Sequence, residues 1–398
     1  MIRRRWLRRL AGGFAVVVLL VLGVYAWAWA SLDRSSIARA MWWTEADVGD
    51  QFRFPARTIP AGDEAAGPLP VGAEIAPMPP SGSGGDRTFE GFLRQTDTLA
   101  FLIVHDDELV YERYFGDADL DARQTSFSVA KSFVSTLVGI AIDEGLIASV
   151  DDPVTDYVPE LAERDPRFER ITLRHLLTMT SGIRYEEQSL PLPLGDDVNT
   201  YYGTDLRDLA LSETEIVSPP GAGWLYNNYN PLLLGLVLER ATGESVSQYM
   251  ATELWQPLGA EADATWSLDS VESGFEKMES GLNARPVDYA RFGLLFLHDG
   301  ERNGRRIVSR DWVREATTTD TSAAPAGNYY VADNYQYFWW IDPLRPGRFY
   351  ALGNFGQYIY VAPDAGTVIV RNGADWGVDN DTWVGLFRDI ADDLRGPS

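Results

Sequence analysis

"SFSVAKS" occupies residues 126–132, and the way this stretch is read decides how the rest of the chain is arranged. Ser128 and Lys131 stand three apart in an otherwise apolar run that continues as "FVSTLVGIAIDEGLI". Val129, Phe133, Leu137, Ile140 and Ala141 recur at helical spacing, so the stretch reads as the start of a buried helix. Residues i and i+3 share a helix face, which lets Ser128 Oγ meet Lys131 Nζ. A serine hydroxyl is a poor nucleophile until a base takes its proton. Burial disfavours the charged form of a lysine, whereas an arginine stays protonated. The chain has only two lysines, Lys131 and Lys277, against 32 arginines, and one of them stands beside Ser128. A helix start with a snorkelling lysine is the alternative reading of this pair by itself.

Outward from this helix, both ends of the body read as β-rich. "TLAFLIVHDDELVYERYF" (residues 98–115) gives two strand-like runs around His105-Asp106-Asp107, a hairpin signal. "FYALGNFGQYIYVAPDAGTVIVRNG" (residues 349–373) gives further runs joined at Pro363-Asp364-Ala365-Gly366, and an amphipathic helix, "NDTWVGLFRDIADDL", follows. Residues 172–294 read mostly as helix and loop, including "PLLLGLVLERATG" with Gly243 as a C-cap. This order predicts an α/β (α+β) protein: one antiparallel sheet built from both chain ends, flanked by helices, with a helical insertion between them. The site is expected where the insertion meets the sheet.

Two further motifs bear on the chemistry. "WLYNNYN" contains Tyr226-Asn227-Asn228. A phenol near a lysine can relay protons, and the Asn228 amide can hold Lys131 or grip a substrate carbonyl. A loop that caps the next helix is the plainer reading. "ALGNFGQYIYV" carries Gly353, whose lack of a side chain would let a substrate approach the strand and receive a backbone N–H. A glycine there can equally mark a bulge.

SxxK, then YxN about 100 residues later, then a glycine-marked strand is the motif order of the penicillin-recognising serine hydrolases. The sequence resembles the β-lactamase-like branch with class C β-lactamases, DD-peptidases, related esterases and 6-aminohexanoate-dimer hydrolases. "ITLRHLLTMTSGI" (residues 171–183) and "GLNARPVDYARFGLLFLHDG" (residues 281–300) carry the likeness further, which covers about residues 85–395. The resemblance implies a β-lactamase-like fold, no metal and no organic cofactor. It makes Ser128 the acylated nucleophile, Lys131 its base, Tyr226 the proton relay and Asn228 a polar substrate contact. The oxyanion hole it implies is the backbone N–H of Ser128 and of Asn354, next to Gly353. Where β-lactamases and DD-peptidases show Lys-Thr-Gly or His-Thr-Gly, this chain has Ala351-Leu352-Gly353, closer to the 6-aminohexanoate-dimer hydrolase and esterase side. The implied activity is hydrolysis of a small-molecule ester or amide. A DD-peptidase or weak β-lactamase is the alternative within enzymes, and a non-catalytic ligand-binding or sensor protein of this fold is the alternative outside them.

The ends and the totals bound the rest. "MIRRRWLRRL AGGFAVVVLL VLGVYAWAWA" starts with five arginines and continues as an apolar run of about 20 residues, long enough to span a bilayer. The arginines predict a cytoplasmic N-terminus and an exported body, periplasmic or extracellular. Length favours an uncleaved anchor; "AWA" before Ser31 resembles a cleavage site, which would make the body secreted. The expected division is 1–30 anchor or signal, 31–86 linker or surface arm, and 87–395 hydrolase domain. The formal charge is −24, and residues 1–30 hold five arginines and no acid, so residues 31–398 carry −29. Such a body repels nucleic acid and anionic headgroups. There are no cysteines, and His105, His175 and His298 have no metal-ligand spacing, so neither thiol chemistry nor a metal centre is expected. Substrate specificity is expected in loops 187–205 and 322–340, with Tyr201, Tyr202, Trp339 and Trp340 as candidate wall residues. The residue pattern sets no oligomeric state.

Overall fold

The computed structural model describes residues 2–62, 67–80, 88–187, 195–319 and 334–396. Parts of the expected specificity loops, residues 188–194 and 320–333, lie outside the described residues, as does the end of the Pro/Gly-rich stretch at 81–87.

The hairpin expected around His105 forms as strands Thr98–His105 and Glu108–Tyr114. Asp106 and Asp107 turn it with φ of +48° and +65°, the left-handed pair that matches strand twist. Thr98–His105 then pairs with Thr367–Gly373 near the other end of the chain, Val104 opposite Val368 and Leu102 opposite Val370. Gln357–Ala362, Phe349–Gly353, Trp339–Ile341 and Tyr335–Gln336 follow in turn. Every pairing is antiparallel, so the two chain ends do build one sheet.

Alternation along these strands sends residues to two different cores. Leu102, Val104, Ile359, Val361, Val368 and Val370 pack with the helical region. Phe101, Ile103, Tyr358, Tyr360 and Ile369 pack instead against Trp383 and Phe387 of the final helix, Asn380–Arg395. On the first face the helix Pro286–Leu297 lies directly on the strands. Its Gly293 has no room for a side chain, since a Cβ there would stand 2.5 Å from Val368 Cγ1.

The helical region is built around Ala130–Asp143 and Tyr229–Thr242, the latter ending at Gly243 in the left-handed conformation. It also holds a small second sheet that the β-rich runs did not reveal. There Ala56–Ile59, from the stretch read as a linker, pairs with Ala264–Ser267, which pairs with Leu282–Ala284.

In the first turn of Pro286–Leu297, buried Asp288 accepts from Glu261 N at 2.7 Å, and burial pushes its carboxyl up to about 7. A carboxyl raised above its unfolded value of 3.8 makes the native state bind the extra proton. Stability is therefore lost as pH rises from 3.8 to about 7. Asp288→Asn should remove this slope: urea midpoints of parent and variant will diverge with rising pH, the parent falling.

Candidate active site

Ser128 sits in a single 3-10 turn, Phe127–Val129, directly ahead of the helix Ala130–Asp143. Phe127 has φ of +43°, a left-handed backbone that is unfavourable for a bulky residue. Aromatic packing holds it there: its ring meets Phe355 edge-on at 5.2 Å and stacks on Tyr201 at 6.3 Å. One helical turn on, Lys131 is only 1% exposed. Its Nζ donates to Ser128 Oγ at 2.8 Å and to the Glu279 carbonyl at 3.0 Å. The same Nζ lies 4.8 Å from the ring centroid of Tyr226. Tyr226 is backed by Trp340, stacked at 6.2 Å, so the phenol ring is fixed in front of the lysine. The motifs at 128, 131 and 226 therefore converge.

The second lysine lies beside the first. Lys277 is fully buried and donates to Glu279 Oε1 at 2.9 Å and to the Tyr201 carbonyl. Its ammonium faces the rings of Tyr201 and Phe54 at 4.5 and 4.6 Å. Burial pulls its pKa down, and the Glu279 carboxylate opposes that shift. Glu279 thus serves two lysines, its carbonyl holding Lys131 and its carboxylate holding Lys277. Its other oxygen, Oε2, is buried with no hydrogen-bond partner. Neither Lys277 nor Glu279 belongs to a motif recognised in the sequence. The scarcity of lysine was the one available signal for Lys277, and Glu279 had none.

Asn228 corrects an expectation. Its amide N–H groups go to Tyr185 Oη at 2.7 Å and Thr200 Oγ1 at 3.3 Å, so they are already engaged rather than free to grip a substrate carbonyl. The Thr200 hydroxyl itself donates to the Asp196 carbonyl at 2.8 Å, so it offers Asn228 a lone pair. Asn228 Oδ1 is left as a buried acceptor without a partner. Asn227 is structural, linking Ile183 O and Tyr229 N. His175 is structural too, since its Nδ1 accepts from Thr172 N at 3.1 Å within a helix cap.

The strand Phe349–Gly353 ends against the Phe127–Val129 turn. A Cβ on Gly353 would stand 2.3 Å from the Ser126 carbonyl and 3.1 Å from Ser128 N, so only glycine permits this approach. Asn354 follows, its Oδ1 accepting from Phe355 N at 3.0 Å and Trp376 Nε1 at 3.2 Å. Arg371 clamps the loop from beneath, donating to the carbonyls of Phe355 at 3.1 Å and Gly356 at 2.7 Å. It is fully buried over the Trp383 ring, and burial lowers its pKa to about 9.

Ser128, Tyr226, Asn228, Glu279, Ser280, Asn354 and Phe355 line a cleft of about 1090 Å³. Tyr201 and Tyr202 form part of its wall, as expected. Trp339 does not: it is buried in the core between Phe292, Phe296 and Phe349. Another wall comes from the N-terminal segment, through Tyr25, Ala40, Met41, Thr44, Glu45 and Ala46. The charged residues lining the cleft are Glu45, Glu187, Asp197 and Glu279, and no lysine or arginine is among the described lining residues.

This fold and this serine–lysine pair define a class that sequence and structure comparison bears out. Residues 86–382 match the beta-lactamase family, and the chain belongs to it. The 6-aminohexanoate-dimer hydrolase of Paenarthrobacter ureafaciens is 31% identical over 322 residues, 76% of this chain and 79% of that protein. Esterase EstB of Burkholderia gladioli is 32% identical over 193 residues, 44% of this chain and 49% of that one. Among solved structures, a Bacillus anthracis protein assigned as a 6-aminohexanoate-dimer hydrolase aligns with a TM-score of 0.75 at 25% identity, over 86% of this chain and 91% of that one. The chain is accordingly an enzyme of the serine-hydrolase class.

Gly353→Ala tests the approach of strand to turn. Forcing a methyl against the Ser126 carbonyl should cost about 1–3 kcal/mol of stability, read as a lower urea midpoint. Ser128 should also react more slowly with a serine-directed phosphonylating reagent.

Proposed function

We propose that the chain is an exported serine hydrolase that cleaves a small-molecule ester or amide through an acyl-enzyme on Ser128. The observation that carries this reading is the 2.8 Å contact between Lys131 Nζ and Ser128 Oγ, opening on the cleft. With Lys131 neutral, the same contact runs from the serine hydroxyl to Nζ, and the serine can be deprotonated in place. In the proposed cycle Ser128 Oγ attacks the carbonyl carbon while its proton passes to Lys131 and Tyr226. The backbone N–H groups of Ser128 and Asn354 receive the oxyanion. The held proton goes to the departing alcohol or amine as its bond to the carbonyl breaks. Water then adds to the acyl-enzyme by the same route and releases the acid and free Ser128. The relatives named as an esterase and as a 6-aminohexanoate-dimer hydrolase support an ester or amide substrate.

The cleft also bears on which ester or amide is accepted. Ala351 brings no cation to the strand edge, and the charged groups lining the cleft are carboxylates. A carboxylate beside the reacting carbonyl, as in β-lactams and peptide C-termini, would be repelled. The lining carboxylates Glu45, Glu187, Asp197 and Glu279 favour a substrate that brings N–H donors or an ammonium group. Export is supported by the apolar window Gly13–Ala30, of mean hydropathy 2.1, behind the arginine-rich N-terminus.

In detergent, the full chain should be phosphonylated by a fluorophosphonate at Ser128, with fluoride leaving, and Ser128→Ala should not react. Absence of labelling would sink the reading. Lys131→Arg should fold yet lose turnover of a chromogenic ester by about 10²–10⁴-fold, because arginine cannot accept the proton. Near-parental rates would remove Lys131 as the base. Glu279→Gln should raise KM for an ω-ammonium ester more than for its neutral isostere, and equal changes would remove Glu279 from substrate binding.

A further inference from the structure

We infer that the cleft opens at the outer membrane–water interface and takes its substrate sideways from the bilayer, as an amphiphilic ester or amide with a neutral or cationic head. This rests on the hydrolase and export readings above and adds the route and the substrate class.

The first support is the helix Ile2–Ala30. Phe14, Leu19, Leu22 and Trp29 on it are 72%, 67%, 59% and 65% exposed, so the protein itself does not cover this apolar surface. Its length and hydropathy suit a bilayer as the occupant.

The second is that this helix continues into the cleft wall through a short hydrogen-bonded turn. Ser31 N donates to Ala28 O at 3.1 Å, and Ser35 caps the helix Ser36–Trp43. Arg39, 2% exposed, bolts that helix to the catalytic body. Its Nε donates to Leu32 O at 2.7 Å, and its Nη1 to Gly203 O at 3.0 Å and Asp269 O at 2.6 Å. The Tyr202 and Tyr201 hydroxyls add bonds to Thr44 O at 2.9 Å and Asp50 Oδ2 at 2.8 Å.

The third support is position. Tyr25 lines the cleft and also lies within the apolar window, five residues before its end at Ala30. At about 1.5 Å per residue that is roughly 7–8 Å along the helix, just inside the outer edge of the hydrocarbon layer. The helix end carries exposed Trp27 and Trp29, and Tyr25 meets exposed Trp42 edge-on at 6.0 Å. Such a cluster is what a membrane interface collects. With the N-terminal arginines inside, this end is the outer one. The cleft that contains Ser128 therefore shares a wall with the interface. Its lining carboxylates Glu45, Glu187, Asp197 and Glu279 repel an anionic head and admit a neutral or cationic one.

The test uses the full chain in phosphatidylcholine vesicles, with Ser128 labelled by a fluorophosphonate that carries a fluorophore. Nitroxide lipids labelled at the headgroup should quench most of the emission. Labelling without quenching overturns the proposal and leaves the hydrolase reading standing, whereas no labelling at Ser128 overturns both. In the same vesicles a long-chain nitrophenyl ester should be preferred over the butyrate ester. Met41→Asp should lower kcat/KM for the long-chain ester about tenfold more than for the butyrate, a difference of about 1.4 kcal/mol. Equal losses on the two esters, or no preference for the long chain, overturn the proposal.

Discussion

A buried lysine held without a carboxylate is the constraint around which this site is arranged. Among the described residues, Lys131 meets a hydroxyl, a carbonyl and an aromatic face. The nearby carboxylate, on Glu279, is instead engaged by Lys277. The fold therefore holds both lysines on Glu279 and lets this one residue separate their roles. The Glu279 side chain neutralises the structural lysine, and its backbone aims the other at Ser128.

That arrangement holds only if the Phe127–Val129 turn is held in place, and the restraint comes from both ends of the chain. The turn includes Phe127 in an unfavourable backbone conformation, which persists only where the surroundings over-determine it. Tyr201 and Phe355 press on the Phe127 ring, and the end of the Phe349–Gly353 strand presses on the backbone. The strand end is tied down in turn by Arg371, which also donates to Thr98 Oγ1 and Thr96 O at the start of the first central strand. A guanidinium placed among carbonyls thus joins the sheet's two chain-distant strands to the loop beside Ser128.

How much of this could be read beforehand follows from how far apart the partners lie in the chain. Ser128 and Lys131 are one helical turn apart, so their type and spacing sufficed. Tyr226 needed the resemblance as well, because nothing local says that its loop reaches Lys131. The strands were legible because β-rich runs bracket turn residues, and the sheet followed from their order. Glu279 and Arg371 were not legible. Each is a common residue whose role depends on a distant partner: Lys131, 148 positions from Glu279, and Thr96, 275 positions from Arg371. The orientation of Asn228 was not legible because an amide has both a donor and an acceptor side, and here the Tyr185 and Thr200 hydroxyls take the donor side. Trp339 and Trp340 are adjacent, yet strand alternation sends one into the core and the other behind Tyr226.

The segment read as a linker or surface arm packs against the body and reaches the cleft. Residues 86–382 carry the family match, yet the cleft is walled by Ala40, Met41, Thr44, Glu45 and Ala46, which lie outside it. This wall is coupled to the chemistry through a short chain of contacts. Arg39 lies 5.4 Å from the rings of Trp43 and Phe54, and Phe54 meets both Tyr201 and the Lys277 ammonium. Lys277 holds Glu279, and Glu279 holds Lys131. A displacement of the N-terminal arm would therefore reach the serine–lysine pair through packed aromatic rings and one buried ion pair. The family fold supplies the serine–lysine pair, while the arm, continuous with the apolar helix, walls the cleft above it.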